Sequence, residues 1–176
     1  MTVRRLSGVG YCACLSQVGD WAFEFAFALA RRHDIRLNIF FFPDPPYRKH
    51  ATRGRRGERR ALGEKEEIEV ERRVRLYYDD LLGDFLNVGF RLCEGDEDPE
   101  LRRCLLIRKD YDVLVLSHEH RGCLFGERPI EEFAARMPCP IVLVGPDQKD
   151  EVYLNAPARL WAEALGLKEG EWLPVM

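Results

Sequence analysis

Pro138-Cys139-Pro140-Ile141-Val142-Leu143-Val144 is a short apolar run set between prolines and Gly145. Four successive aliphatic residues with no polar member read as a strand buried on both faces, as in a parallel sheet. Val113-Leu114-Val115-Leu116, upstream, has the same character, and between the two lies a short helix, Pro129 to Arg136, begun by proline in its first turn.

The same alternation continues toward the N-terminus. Asn87 to Cys93 reads as a strand, and the turn Glu94-Gly95-Asp96-Glu97-Asp98 leads through Asp98-Pro99 into a helix carrying Leu101, Cys104, Leu105 and Ile107. A long helix over 64–86 places Ile68, Val74, Tyr78, Leu81 and Phe85 at three- and four-residue steps on one face. Arg36 to Phe42 is a strand stopped by Pro43-Asp44-Pro45-Pro46, because prolines cannot donate to a ladder. Val9 to Leu15 reads as the first strand, and Trp21 to Arg32 as a helix with Asp20 as its N-cap. The strand–helix order predicts one α/β domain, a doubly wound five-stranded parallel sheet with helices on both faces. It spans 1–147. A C-terminal helical extension follows over 148–176, its helix at Ala156 to Leu165 presenting Leu160, Trp161 and Leu165.

Composition narrows the function. The chain has 176 residues, 46% of them hydrophobic, enough for one core, and its net charge of −3 points to neither a nucleic-acid nor a membrane partner. Arg48, Lys49, Arg53, Arg55, Arg56, Arg59 and Arg60 concentrate in a glycine-rich stretch, 47–63, that reads as a mobile loop, solvated or crossing to a second copy. No signal peptide is expected, and the location expected is cytoplasmic. Most of the six cysteines sit in apolar runs, where a free thiol behaves as a small hydrophobe.

Tyr111-Asp112-Val113-Leu114-Val115-Leu116-Ser117-His118, followed by the run from Pro129 through Met137-Pro138-Cys139-Pro140 to Val144, resembles the universal stress protein family. In that family a D-[LV]-[IL]-V-[ML]-G strand is followed by a helix, P-C-P and a V-L-V-V strand. The resemblance covers about four-fifths of the chain in element order. It implies strand order 3-2-1-4-5, a homodimer through Ile141–Val144, and ATP or AMP as ligand. Nucleotide-binding members carry a G-x2-G-x9-G-[ST] loop whose backbone N–H groups approach phosphate. Here only Gly122 and Gly126 are available, Glu127-Arg128 stands where the Gly-Ser or Gly-Thr pair would be, and Cys14-Leu15 replaces the aspartate ending the first strand. Glu127 adds negative charge where a triphosphate would sit.

Ligands of such sheets bind at the switch point beyond the strand ends, here between the first and fourth strands. The residues expected there are Ser16, Phe42, Ser117, His118, Arg121, Gly122, Gly126 and Arg128, suited to a small anionic ligand or a nucleotide. Cys12, Cys14, His118 and His120 offer a soft donor set for a metal or redox sensor. The plainer alternative is cysteines filling a strand interior and histidines at a polar loop. No nucleophile–base–orienter set is visible, so no enzyme is expected. The rival class is an adenine-nucleotide-using enzyme of the same fold, which needs a phosphate loop after the first strand; Ser16-Gln17-Val18-Gly19-Asp20 is a poor version of one.

Overall fold

A computed structural model describes residues 5–43 and 64–175. The arginine-rich loop expected over 47–63 therefore lies outside the described residues. In chain order the first elements are β1 (Gly8–Cys12), α1 (Gln17–His33), β2 (Arg36–Phe41), α2 (Glu64–Leu82), β3 (Val88–Leu92), α3 (Glu97–Leu106) and β4 (Val113–Ser117). They are followed by β5 (Leu124–Phe125), β6 (Arg128–Pro129), α4 (Ile130–Arg136), β7 (Ile141–Val144), β8 (Val152–Leu154), α5 (Ala156–Arg159) and β9 (Leu173–Pro174).

The period-two geometry of strands sorts the core into two layers. Val113, Val115, Val142, Val144 and Val9 face α1, whose Ala22, Ala26 and Ala30 let the helix lie close to the sheet. Leu114, Leu116, Ile141 and Leu143 face the other way, onto Phe133, Leu101 and Cys104 of α4 and α3. Phe23 and Tyr78 pack with Tyr11 at the centre of the first layer. Gly10 is required where β1 passes its neighbours, because a Cβ there would lie 2.9 Å from Leu114 Cδ1 and 3.0 Å from Phe40 Cε2.

The sheet order is β3-β2-β1-β4-β7-β8-β9. Its first five members are parallel and keep the expected arrangement, but the sheet has seven strands, not five, and is mixed. The two additional strands come from the extension, expected to be helical. Its helix α5 runs only from Ala156 to Arg159, and Leu165, beyond it, is buried in the α1 layer. β8 pairs antiparallel with β7, Val142 opposite Leu154 and Val144 opposite Val152. The edge of Ile141–Val144 is thus filled by the chain's own tail. The homodimer expected through that strand is corrected accordingly, since β7 has β4 on one side and β8 on the other.

Asn155 fixes this closure. Its Oδ1 accepts from the N–H groups of Ile141 (2.9 Å) and Ala158 (3.0 Å), and its Nδ2 donates to the carbonyls of Ala134 (2.8 Å) and Cys139 (2.9 Å). All four partners are backbone groups at the start of β7, the end of α4 or the first turn of α5. At the other end of the tail, Arg32 and His33 of α1 hold the Ala164 carbonyl at 3.1 Å and 2.7 Å.

One boundary and one buried face differ from expectation for local reasons. α1 begins at Gln17, four residues before the expected start, because Ser16 rather than Asp20 is the N-cap; Ser16 Oγ accepts from the Gly19 N–H at 2.9 Å. Ile68, expected on the buried face of α2, is 65% exposed, and Leu81 is 46% exposed. Val74, Tyr78 and Leu82 carry the packing instead. Among the described residues, no helix is long and apolar enough to cross a membrane.

Asn155→Ala strands buried donors and acceptors on three elements. It is expected to lower unfolding stability by about 3 kcal/mol, read from urea denaturation. A loss below about 1 kcal/mol would mean that the tail is held by its apolar contacts alone.

Candidate functional site

Between β1 and β4 the sheet changes direction of growth: from β1 the chain crosses to β2 on one side, and from β4 to β7 on the other. A cleft of about 360 Å³ opens there, beyond the strand ends. Cys12 and Cys14 line it from β1 and the residues just past it; Ser117, Glu119, His120 and Cys123 line it from β4 and the following loop. Phe42, Phe125, Leu116 and Ile130 supply apolar wall, and Glu97 stands at the start of α3.

The turn from β1 into α1 is tight. A Cβ on Gly19 would collide with the Cys14 carbonyl oxygen, so the first turn of α1 sits directly on the end of the strand. Tyr11 stiffens this corner by donating to the Gly19 carbonyl at 2.8 Å and meeting the Tyr78 hydroxyl at 2.9 Å. Above it, Ser16 Oγ donates to Glu119 Oε1 at 2.6 Å, and Cys14 Sγ donates to the same oxygen at 3.1 Å. Burial, then the hydrogen bond to Glu119, raises the Cys14 thiol above its ordinary value. Ser16 is therefore a helix cap and a ligand of Glu119.

The loop after β4 splits its residues between two faces. His118 is 2% exposed and points away from the cleft, with Nε2 at 2.8 Å from Glu131 Oε1 and Nδ1 at 3.2 Å from the Gly145 carbonyl. The Gly122 N–H donates to that same Glu131 oxygen at 2.8 Å. Arg121 is exposed near Tyr153 of β8, whose hydroxyl donates to Glu151 Oε1 at 2.7 Å, and Tyr153 stands edge-on to the His118 ring. Arg128 pairs with Glu132 at 3.0 Å. Gly122, in the turn from His120 to Cys123, and Gly126, in the hairpin of β5 and β6, occupy left-handed backbone, φ 75° and 69°.

Of the residues expected at the site, the cleft gathers Cys12, Cys14, Phe42, Ser117 and His120. His118, Arg121, Gly122 and Arg128 are engaged elsewhere, and Gly126 faces Glu97 from the hairpin. His118, Arg121 and Arg128 thus stand outside the lining of the cleft, with His118 beside Glu131 and Arg128 beside Glu132. The charged side chains that do line it, among the described residues, are Glu97 and Glu119, beside His120. Cys12, Cys14, His118 and His120 are not brought together; among the described residues no three His, Cys, Asp or Glu side chains are placed to hold a metal. Burial also pushes the thiols of Cys12 and Cys93 up, and that of Cys104 up to about 11, against thiolate chemistry.

Glu119 and Glu131 were missed in the sequence. Nothing in local spacing announces either; each acts across the fold, Glu119 on Ser16 and Glu131 on a loop nine residues before it.

Against solved structures, the chain is similar to the universal stress protein UspA from Lactobacillus plantarum, with a TM-score of 0.58 and 14% identity. The match covers 81% of this chain and all of that one. The fold is that of a universal stress protein. No family model matches the sequence, and no curated protein does. The likeness to universal stress proteins thus lies in backbone arrangement.

Glu131 carries a pH signature. Burial would raise its carboxyl, but the Gly122 N–H and His118 favour the carboxylate and leave it below its ordinary value. A group depressed on folding stabilises above its unfolded pKa and loses that contribution as pH falls through the folded one. Glu131→Gln is therefore expected to be less stable than the parent at neutral pH, the gap closing in acid, as urea denaturation across that range would show. A second expectation concerns Cys14. Glu119→Gln is expected to speed its alkylation by iodoacetamide several-fold at about pH 7.5, read by mass spectrometry at that residue.

Proposed function

We propose that the chain is a non-catalytic regulatory domain of universal-stress-protein type, holding a small ligand in the cleft between β1 and β4 without a phosphate-binding loop. The observation that carries this reading is the Glu131 carboxylate. It already accepts the Gly122 N–H and contacts His118, so a donor that could meet an incoming phosphate is used by an anion of the chain itself. Glu97 and Glu119 add to the effect, because two carboxylates beside the cleft oppose a polyphosphate. The ligand that suits these walls has an apolar body, to lie against Phe42, Phe125 and Leu116, and hydrogen-bond donors for the carboxylates. The non-catalytic reading is supported by the roles these groups already have: the Ser16 hydroxyl caps α1 and bonds Glu119, and the Cys14 thiol is raised rather than activated.

Calorimetric titration with adenosine, AMP and ATP, with and without magnesium, tests the reading. Any adenosine affinity is expected to be unimproved by added phosphates, and no phosphate is released from ATP. ATP bound ten-fold or more tightly than adenosine, which is about 1.4 kcal/mol taken from phosphate contacts, or turnover of ATP, would overturn it.

A further inference from the structure

α2 buries Val74, Tyr78 and Leu82 and leaves Leu76 57% exposed on its outer side. Charge along that side changes sign across Leu76, with Glu69 a further turn toward the N-terminus. Arg72, Arg73 and Arg75 precede Leu76; Asp79, Asp80 and Asp84 follow it. Arg75 is used within the chain, at 2.9 Å from Glu71 and over the Phe90 ring. Arg72, Arg73, Asp79, Asp80 and Asp84 form no ion pair with a described residue.

Residues three and four positions either side of a helical residue share its face. Arg72 and Arg73 therefore lie one turn before Leu76, and Asp79 and Asp80 one turn after it, on the same exposed strip. Such a strip is its own complement under a two-fold axis. If a second copy runs antiparallel with Leu76 against Leu76, each Arg72 faces an Asp80 of the other copy and each Arg73 an Asp79. A parallel arrangement would instead set arginine against arginine. The closed edge of β7 removes the alternative of strand pairing there.

We propose that this face of α2 is the docking surface for a second copy of the chain, an antiparallel helix pair with Leu76 on the two-fold axis. The contact is isologous and electrostatically steered, so it weakens with salt as the screening length drops from about 10 Å at 0.1 M toward 3 Å at 1 M. It is independent of the cleft and of what the cleft binds.

Sedimentation velocity of the full chain over a concentration series, at low and high salt, reads the association. A reversible dimer is expected at low salt and a loss of dimer at high salt. The doubly substituted chains Arg72→Glu/Arg73→Glu and Asp79→Arg/Asp80→Arg are each expected to sediment as monomers. Mixed one to one they form a heterodimer, since every like-charge contact then becomes an opposite one. Circular dichroism confirms that each variant keeps its helices, and the mixture itself shows that both faces remain formed. A parent chain monomeric throughout, variants that associate as tightly as the parent, or a mixture that stays monomeric would each overturn the proposal.

Discussion

A strand buried on both faces must still find hydrogen-bond partners along both edges, and β7 is the strand on which that demand falls hardest. All four of its residues are buried, so water cannot serve the unpaired groups. β4 supplies one ladder and β8 the other, and the antiparallel direction of β8 lets the chain turn back from Gly145 without a crossover helix. The rest of the tail follows from this return. Asn155 joins the ends of β7 and α4 to the start of α5, and Leu165 then reaches the α1 layer.

The closure reaches the cleft through Tyr153. This residue of β8 lies against His118 and Arg121, the two loop residues facing away from the cleft, while Glu131 of α4 gathers His118 and Gly122. The loop that shapes one wall of the cleft is thereby gripped from behind by the tail and from the side by α4. Of its cleft-facing members, Glu119 is held in addition by Ser16 and Cys14 across the cleft.

The sequence makes the parallel core readable because its strands are continuous apolar runs and its helices have strong punctuation. Val113 to Leu116 and Ile141 to Val144 could be nothing but buried, and the alternation around them left one architecture. β8 was hidden by length: Val152-Tyr153-Leu154 is too short to show a period and follows charged residues. The cap of α1 was misread because Ser16 and Asp20 are both cap-type residues, and only the fit of Gly19 against Cys14 selects the first. At the site, the strand-end residues were legible from topology. His118 and Arg121 were not, since a loop residue's facing depends on partners such as Glu131 and Tyr153 that spacing cannot connect. The Arg128–Glu132 pair, by contrast, joins residues only four apart across the start of α4.

The two-sided loop also sets what kinds of change the chain can absorb. Between Ser117 and Cys123, residues that meet the cleft are interleaved with residues that meet the tail and α4. A substitution on the cleft side, at Glu119 or His120, leaves the other set in place. An insertion or deletion of one residue does not, because it shifts every later member to the opposite side and pulls Gly122 away from the left-handed backbone it must adopt. The segment is therefore fixed in length, the reverse of what an exposed connection ordinarily permits.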